Sequence, residues 1–186
     1  MHIENLVGVL YVKESELNTI ISKSFNDNFF GHKIADGVGG VSVQNPFDGF
    51  AVIPGTPIYF ESKMMKNQIE AFNFKSIEPH QIENLQAVKK CLPKSLCLIT
   101  LGIYIPRKLF IVLPIDISFI TELMQEGKKS ILKKELEPII EKKVFLKINS
   151  IDRITDKGKK IKVKRVIKDD LLSINEKVIK EKIWLS

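Results

Sequence analysis

Two near-continuous apolar stretches, "SLCLITLGIY" (Ser95–Tyr104) and "KLFIVLPI" (Lys108–Ile115), constrain the fold more than any other feature of this chain. Each has strand length and no polar alternation, so both read as strands of a sheet buried on its two faces. Amphipathic helices are the usual cover for such a sheet. Pro106, Arg107 and Lys108 interrupt the pair, and no run approaches the ~20 apolar residues of a membrane helix. No membrane partner is expected. The start "MHIENLVGVLYVKE" lacks a basic segment and a small-residue cleavage site, which predicts a cytoplasmic protein.

The covering helices can be found by their period. Leu17, Ile20, Ile21, Phe25 and Phe29 fall at helical spacing after Glu14. A helical wheel sets Glu14 near the middle of that stripe and Glu16 on its flank. A second helix is predicted from Pro79, with Ile82, Leu85 and Val88 inward. Others are predicted around Ser118–Glu126 and Ile131–Lys142. Strands are predicted near 48–53 and 58–64, joined by the turn formers "PGTP". Four glycines in "GHKIADGVGGVSVQNPF" (31–47) mark a short strand and a flexible loop. Gly37, Gly39 and Gly40 make no phosphate-binding fingerprint. The order predicts a mixed α/β sheet flanked by helices. Cys91 and Cys97 match no zinc or redox spacing and read as mostly buried thiols.

Charge is unevenly spread along the 186 residues. Residues 1–125 hold 11 Lys/Arg and 12 Asp/Glu, a net of −1, whereas residues 126–186 hold 18 and 10, a net of +8. A lopsided basic segment suits a polyphosphate partner, and equally a plain solvated surface. Strand-like "VFLKI" and "KIKVKRV" flank a "DKGKK" turn there, and a weak amphipathic helix follows. The division expected is a core over residues 1–142 and a basic extension, 143–186, packed on or next to it. Trp184 is read as an anchor for that tail.

The hairpin "PFDGFAVIPGTPIYFESKM" (Pro46–Met64) holds the candidate chemistry. Strand alternation puts Tyr59, Glu61 and Lys63 on one face, and the turn brings Asp48 back beside them. Converging carboxylates repel unless a cation lies between them. Oxygen donors without Cys or His favour Mg²⁺ or Mn²⁺. A lysine beside such an ion could orient water and counter charge on a phosphate. From the residues alone, an ordinary charged strand face remains the competing reading.

The wider text resembles a family. Asp48 followed by Glu61-x-Lys63 resembles the PD-(D/E)xK nuclease superfamily. "YFESKMMKN" (Tyr59–Asn67), "PHQIENLQAV" (Pro79–Val88), "EGKKSILKKELE" (Glu126–Glu137) and "ESELN" (Glu14–Asn18) are similar, in the same order, to motifs of RecU-type Holliday junction resolvases. The resemblance spans roughly residues 10–140 and implies a restriction-endonuclease-like core. It implies that Asp48, Glu61 and the main-chain carbonyl of Ser62 hold Mg²⁺ or Mn²⁺, and that Lys63 positions water. Glu14 would be an additional or supporting ligand, and Gln81 would sit beside the scissile phosphate. Lys66, Lys128 and Lys129 would contact DNA. The partners implied are a four-way (branched) DNA junction and a second copy of the chain, each copy nicking one strand. Two features depart from the family: the glycine-rich 31–47 loop replaces a long insertion, and residues 143–186 have no counterpart. The alternatives are a nuclease of the same superfamily acting on other branched or duplex DNA, and an inactive DNA-binding relative. Without the resemblance Gln81 reads as a cap of its own helix, His80 reads as a helix-start residue, and Tyr59 fits sheet packing or a DNA contact equally.

Overall fold

The computed structural model describes residues 12–34, 45–65, 71–105 and 109–180. Seven strands form the main sheet: β1 (Phe30–Lys33), β2 (Gly49–Ile53), β3 (Thr56–Met64), β5 (Leu96–Ile105), β6 (Leu109–Asp116), β8 (Leu146–Ile154) and β9 (Lys160–Val166), in the spatial order β1-β2-β3-β5-β6-β8-β9. β3 and β5 run parallel and the other neighbours antiparallel. The expected mixed α/β sheet flanked by helices is what the chain forms. The parallel pair requires a crossover, which contains α2 (Pro79–Cys91). The tight β2–β3 turn has Pro54 followed by Gly55 at φ +76°, a left-handed position glycine takes without a Cβ penalty.

Alternation along the central strands divides the core into two layers. Leu96, Leu98, Ile58 and Phe60 meet α1 (Glu14–Asn28) on one side, where Leu17, Ile20, Ile21 and Phe25 are buried. Cys97, Ile99 and Leu101 of β5 and Ile111 and Leu113 of β6 face the other layer. There they join Leu85 of α2 and Phe119, Ile120 and Leu123 of α3 (Ile117–Gln125). Each fully buried Leu or Ile contributes about 1.5–3 kcal/mol, so the two apolar runs dominate the fold.

α1 packs against β1, β2 and β3 at one end of the sheet and against β9 at the other. The sheet therefore curls around this helix. That explains why polar Asn18, Ser22 and Ser24 are buried together with its apolar stripe. Ser24 Oγ donates to the Ile20 carbonyl and accepts the Val166 N–H at 2.8 Å. Glu14 is half covered: its side chain is 49 % exposed, yet its carboxylate turns inward to the buried Lys63 at 3.2 Å, the partner that an acid on this face needs.

Other differences are local. The region read as one helix over 131–142 starts with a strand, β7 (Ser130–Leu132), and only then becomes α4 (Lys133–Glu141). β7 pairs with β4 (Ala71–Asn73) in a separate two-stranded ribbon. Cys97 is buried, but Cys91, at the end of α2, is exposed. The tail forms β8, β9, α5 (Lys168–Leu172) and α6 (Ile174–Lys177), with β8 bonded to β6. Gly37, Gly39, Gly40, Lys66, the Pro106–Lys108 break and Trp184 lie outside the described residues.

Candidate active site

β2 pairs with β3 as far as Gly49 opposite Phe60, and beyond that point β3 continues alone on this side. The free Ser62 N–H finds Asp48, whose Oδ2 accepts it at 2.8 Å. This contact pins the residue that precedes β2 against the far end of β3. On the opposite side β5 runs alongside, with Thr100 level with Ser62. Thr100 Oγ1 lies 3.2 Å from the Glu61 carbonyl oxygen and 3.1 Å from Ser62 Oγ, steadying the strand from behind.

Glu61 is 2 % exposed and Lys63 5 % exposed. Lys63 Nζ donates to Glu61 Oε1 at 2.8 Å and to Glu14 Oε1, on the first turn of α1, at 3.2 Å. Gln81 Nε2 also donates to Glu61 Oε1, at 2.6 Å. Gln81 is the third residue of α2, and its Oε1 accepts the Glu78 N–H at 3.0 Å. Capping and site contact, weighed as alternatives from the sequence, are thus both made by one side chain. The cap fixes the amide so that its donor end points at Glu61.

The electrostatics follow from this packing. Burial is the largest influence on Glu61 and raises its pKa to about 7; the Asp48 charge adds to the rise, while Lys63 opposes it. Asp48 is also raised, chiefly by burial, against the pull of the Ser62 N–H and Lys63. Burial works against the charged form of Lys63, but its bonds to Glu61 and Glu14 prevail and raise its pKa. Three carboxylates, those of Asp48, Glu61 and Glu14, act with the Lys63 ammonium, and Lys33 adds the smallest pull on Asp48, so among the described residues acids outnumber cations here.

Among the described residues no three His, Cys, Asp or Glu side chains form a ready-made metal cage. The oxygen donors near Glu61 are two carboxylates plus main chain. That set fits Mg²⁺, which keeps several of its waters and is commonly held by one or two carboxylates with substrate phosphates. It fits zinc poorly, since no Cys or His takes part.

The structure brings together Asp48, Glu61, Ser62, Lys63, Glu14 and Gln81. It keeps Lys128 and Lys129 apart from them, in the turn between α3 and β7. Lys128 is paired with Glu135 at 2.8 Å. Burial pushes Glu135 up, but the Lys128 and Leu132 N–H bonds outweigh it and hold its carboxyl below the usual value. Tyr59 packs edge-on against Phe47 at 5.3 Å, as sheet packing predicts. The support from Thr100 and the Ser62 N–H was invisible in the sequence, because it depends on strand register.

The family model of recombination protein U, RecU, matches residues 41–156. No curated protein matches the sequence. Among solved structures, Hjc of Archaeoglobus fulgidus, a Holliday junction resolvase from an archaeal hyperthermophile, matches at 17% identity with a TM-score of 0.36, over 65% of this chain and 86% of that one. The RecU match takes in Asp48, Glu61, Lys63 and Gln81, and leaves Glu14 and the end of the basic tail outside.

Proposed function

This chain belongs to the recombination protein U (RecU) family, and from that premise we propose that it is a divalent-metal-dependent endonuclease that resolves four-way DNA junctions. The observation that carries this reading is the convergence on Glu61 of Lys63, Gln81 and the Asp48 charge. A surface ion pair needs no such arrangement.

Asp48 and Glu61 would hold Mg²⁺ or Mn²⁺. The Ser62 carbonyl would complete the set, since a strand residue sends its N–H and C=O to the same side and the Ser62 N–H already meets Asp48. When bound, the cation supplies charge neutralisation at the attacked phosphate and acidifies a water. The protein's own groups do the rest. Lys63, held between Glu61 and Glu14, keeps an ammonium at the point where negative charge builds and can orient the attacking water. Gln81 offers its fixed amide next to the scissile phosphate. Glu14 steadies Lys63 from α1 and leaves it free to shift when a phosphate arrives. Lys129 is exposed and would touch the DNA backbone, as would Lys128 once released from Glu135. Two copies of the chain, acting in the cytoplasm, would place one site on each of two opposing strands and so make paired nicks.

The test is cleavage of a labelled four-way junction beside a linear duplex of the same sequence, with Mg²⁺ or with EDTA, for wild type and Glu61→Gln. Paired nicks confined to the junction, dependent on Mg²⁺ and lost in Glu61→Gln with binding retained, are expected. Equal cutting of both substrates would leave a nuclease without junction selectivity. Tight binding with no cutting under any divalent cation would identify an inactive relative.

A further inference from the structure

The C-terminal basic segment has two kinds of cation. At the base of the β8–β9 hairpin they are spent on the fold. Lys164 pairs with Glu16 of α1 at 2.8 Å, and Arg165, 7 % exposed, with Asp27 of α1 at 2.6 Å. Nearer the tip, Arg153 also reaches Asp27, at 3.6 Å. The Val166 N–H bonds to Ser24 Oγ, and Asp170 Oδ2 accepts the Lys147 N–H at 2.6 Å. Toward the tip the pattern changes. Lys160 is paired with Asp152 at 2.9 Å, but among the described residues Lys157, Lys159 and Lys162 have no acidic partner, and all three are exposed. Lys23, on the outer face of α1, is exposed and unpaired in the same sense.

Lys23 and Lys162 both line a groove of about 580 Å³ between α1 and the hairpin. Thr19, Thr155 and Arg153 also line it; its acids are Glu16, already neutralised by Lys164, and Asp156. The walls thus carry ammonium groups and hydroxyls, the donors that bind phosphodiester oxygens without reading sequence. The hairpin is also rigidly placed. Its base is bonded into the main sheet and stapled to α1, and the first residue of α1, Glu14, touches Lys63 of the candidate site. Lys23 is nine residues beyond Glu14, about 14 Å along the helix axis. That separation is on the order of four base-pair steps.

We propose that the hairpin tip and Lys23 form a second DNA-contacting surface, which grips the sugar–phosphate backbone of a duplex arm leaving the candidate active site. This rests on the nuclease reading and adds to it a site on elements of this chain, α1 and β9, that lie outside the matched span 41–156. The role of the grip is to hold an arm; it takes no part in bond breaking.

Removal of residues 143–186 would not test this, because it would strip Leu146, Val166, Leu171 and Ile174 from the core. The informative variant is the full chain carrying Lys157→Ala, Lys159→Ala and Lys162→Ala. Its affinity for a fluorescent four-way junction is measured across a salt series, together with Mg²⁺-dependent cleavage at saturating protein. The variant is expected to bind more weakly, with the slope of log K against log salt reduced by roughly two to three, near 0.9 for each phosphate that is no longer neutralised. Cleavage at saturation should stay within about twofold of wild type, as expected when backbone contacts only position the substrate. If affinity and slope are unchanged while wild type still cuts, the proposal falls and the nuclease reading stands. If a folded variant loses cleavage even at saturation, the hairpin acts in the chemistry and arm-holding is wrong. If wild type neither binds nor cuts branched DNA, both readings fall together.

Discussion

At the candidate active site and in the C-terminal hairpin, lysines stand beside carboxylates, yet the two regions use the pairing in opposite ways. Lys63 is almost fully buried and serves two acids at once, in surroundings where burial and Asp48 raise the pKa of Glu61. In the hairpin, Lys164 and Arg165 each have an acid on α1, Lys160 has Asp152, and the tip lysines Lys157, Lys159 and Lys162 are exposed with no acidic partner among the described residues. The candidate site gathers acids around the nearly buried Glu61–Lys63 pair; the hairpin balances charge at its base and leaves the surplus exposed. The first arrangement leaves negative charge that, on the proposed reading, a cation would neutralise. The second fastens an element in place.

Lys63→Ala should break the comparison most severely. It leaves buried Glu61 with Gln81 alone and is expected to slow single-turnover junction cleavage by roughly 10²–10³-fold, the scale of losing one charge-stabilising donor. Loss of one partner from a buried pair also costs about 3–5 kcal/mol, readable in urea melts of the metal-free protein. Unchanged cleavage would place Lys63 outside the chemistry.

Asp27→Ala removes the acceptor shared by Arg165 and Arg153. It should lower stability by about 1–3 kcal/mol, as for charged hydrogen bonds that are partly screened, with cleavage at saturating DNA unchanged. A drop in cleavage beyond what unfolding explains would mean that the staple also aligns α1, and Glu14 with it.

The smallest effect is the dependence of metal stabilisation on pH. Glu61 has a folded pKa of about 7, above its ordinary 4.5, so the folded state binds this proton more tightly than the unfolded one. Its contribution in the metal-free protein therefore becomes more favourable as pH falls from 8 through 7 toward 4.5. On the proposed metal-dependent reading, a cation held by Glu61 would take the place of this proton. Mg²⁺ should thus raise the melting temperature by a few degrees at pH 8, at about 2–4 °C per kcal/mol, with the gain shrinking below pH 7. A gain that is the same at both pH values would detach the metal from Glu61.

Much of this was legible in the residues. The apolar stripe of α1, Pro79 at the start of α2, the Pro54–Gly55 turn and the runs that became β5 and β6 are all written in local periodicity, which survives whatever the rest of the chain does. The meeting of Asp48, Glu61 and Lys63 was legible too, since a two-residue period and a tight turn suffice to bring them together. Other features were not. β4 and β7 are three residues each and pair across some sixty positions, too short a signal to stand out from the helix and loop around them. The wheel placed Glu14 toward the core but could not show that its partner there is Lys63, a residue 49 positions away.

The sequence by itself determined which segments could be strands and helices, and it put two carboxylates and a lysine on neighbouring strand ends. Tertiary structure alone decided how those charges were partnered. Gln81 reaches Glu61 because α2 returns over β3, and Glu14 reaches Lys63 because the sheet curls around α1. In the basic segment, Arg165 and Lys164 became staples and Lys157, Lys159 and Lys162 stayed exposed because only the first two lie where β9 crosses α1. Local pattern fixes which face of an element a side chain occupies; what waits opposite that face comes from residues far away in the chain.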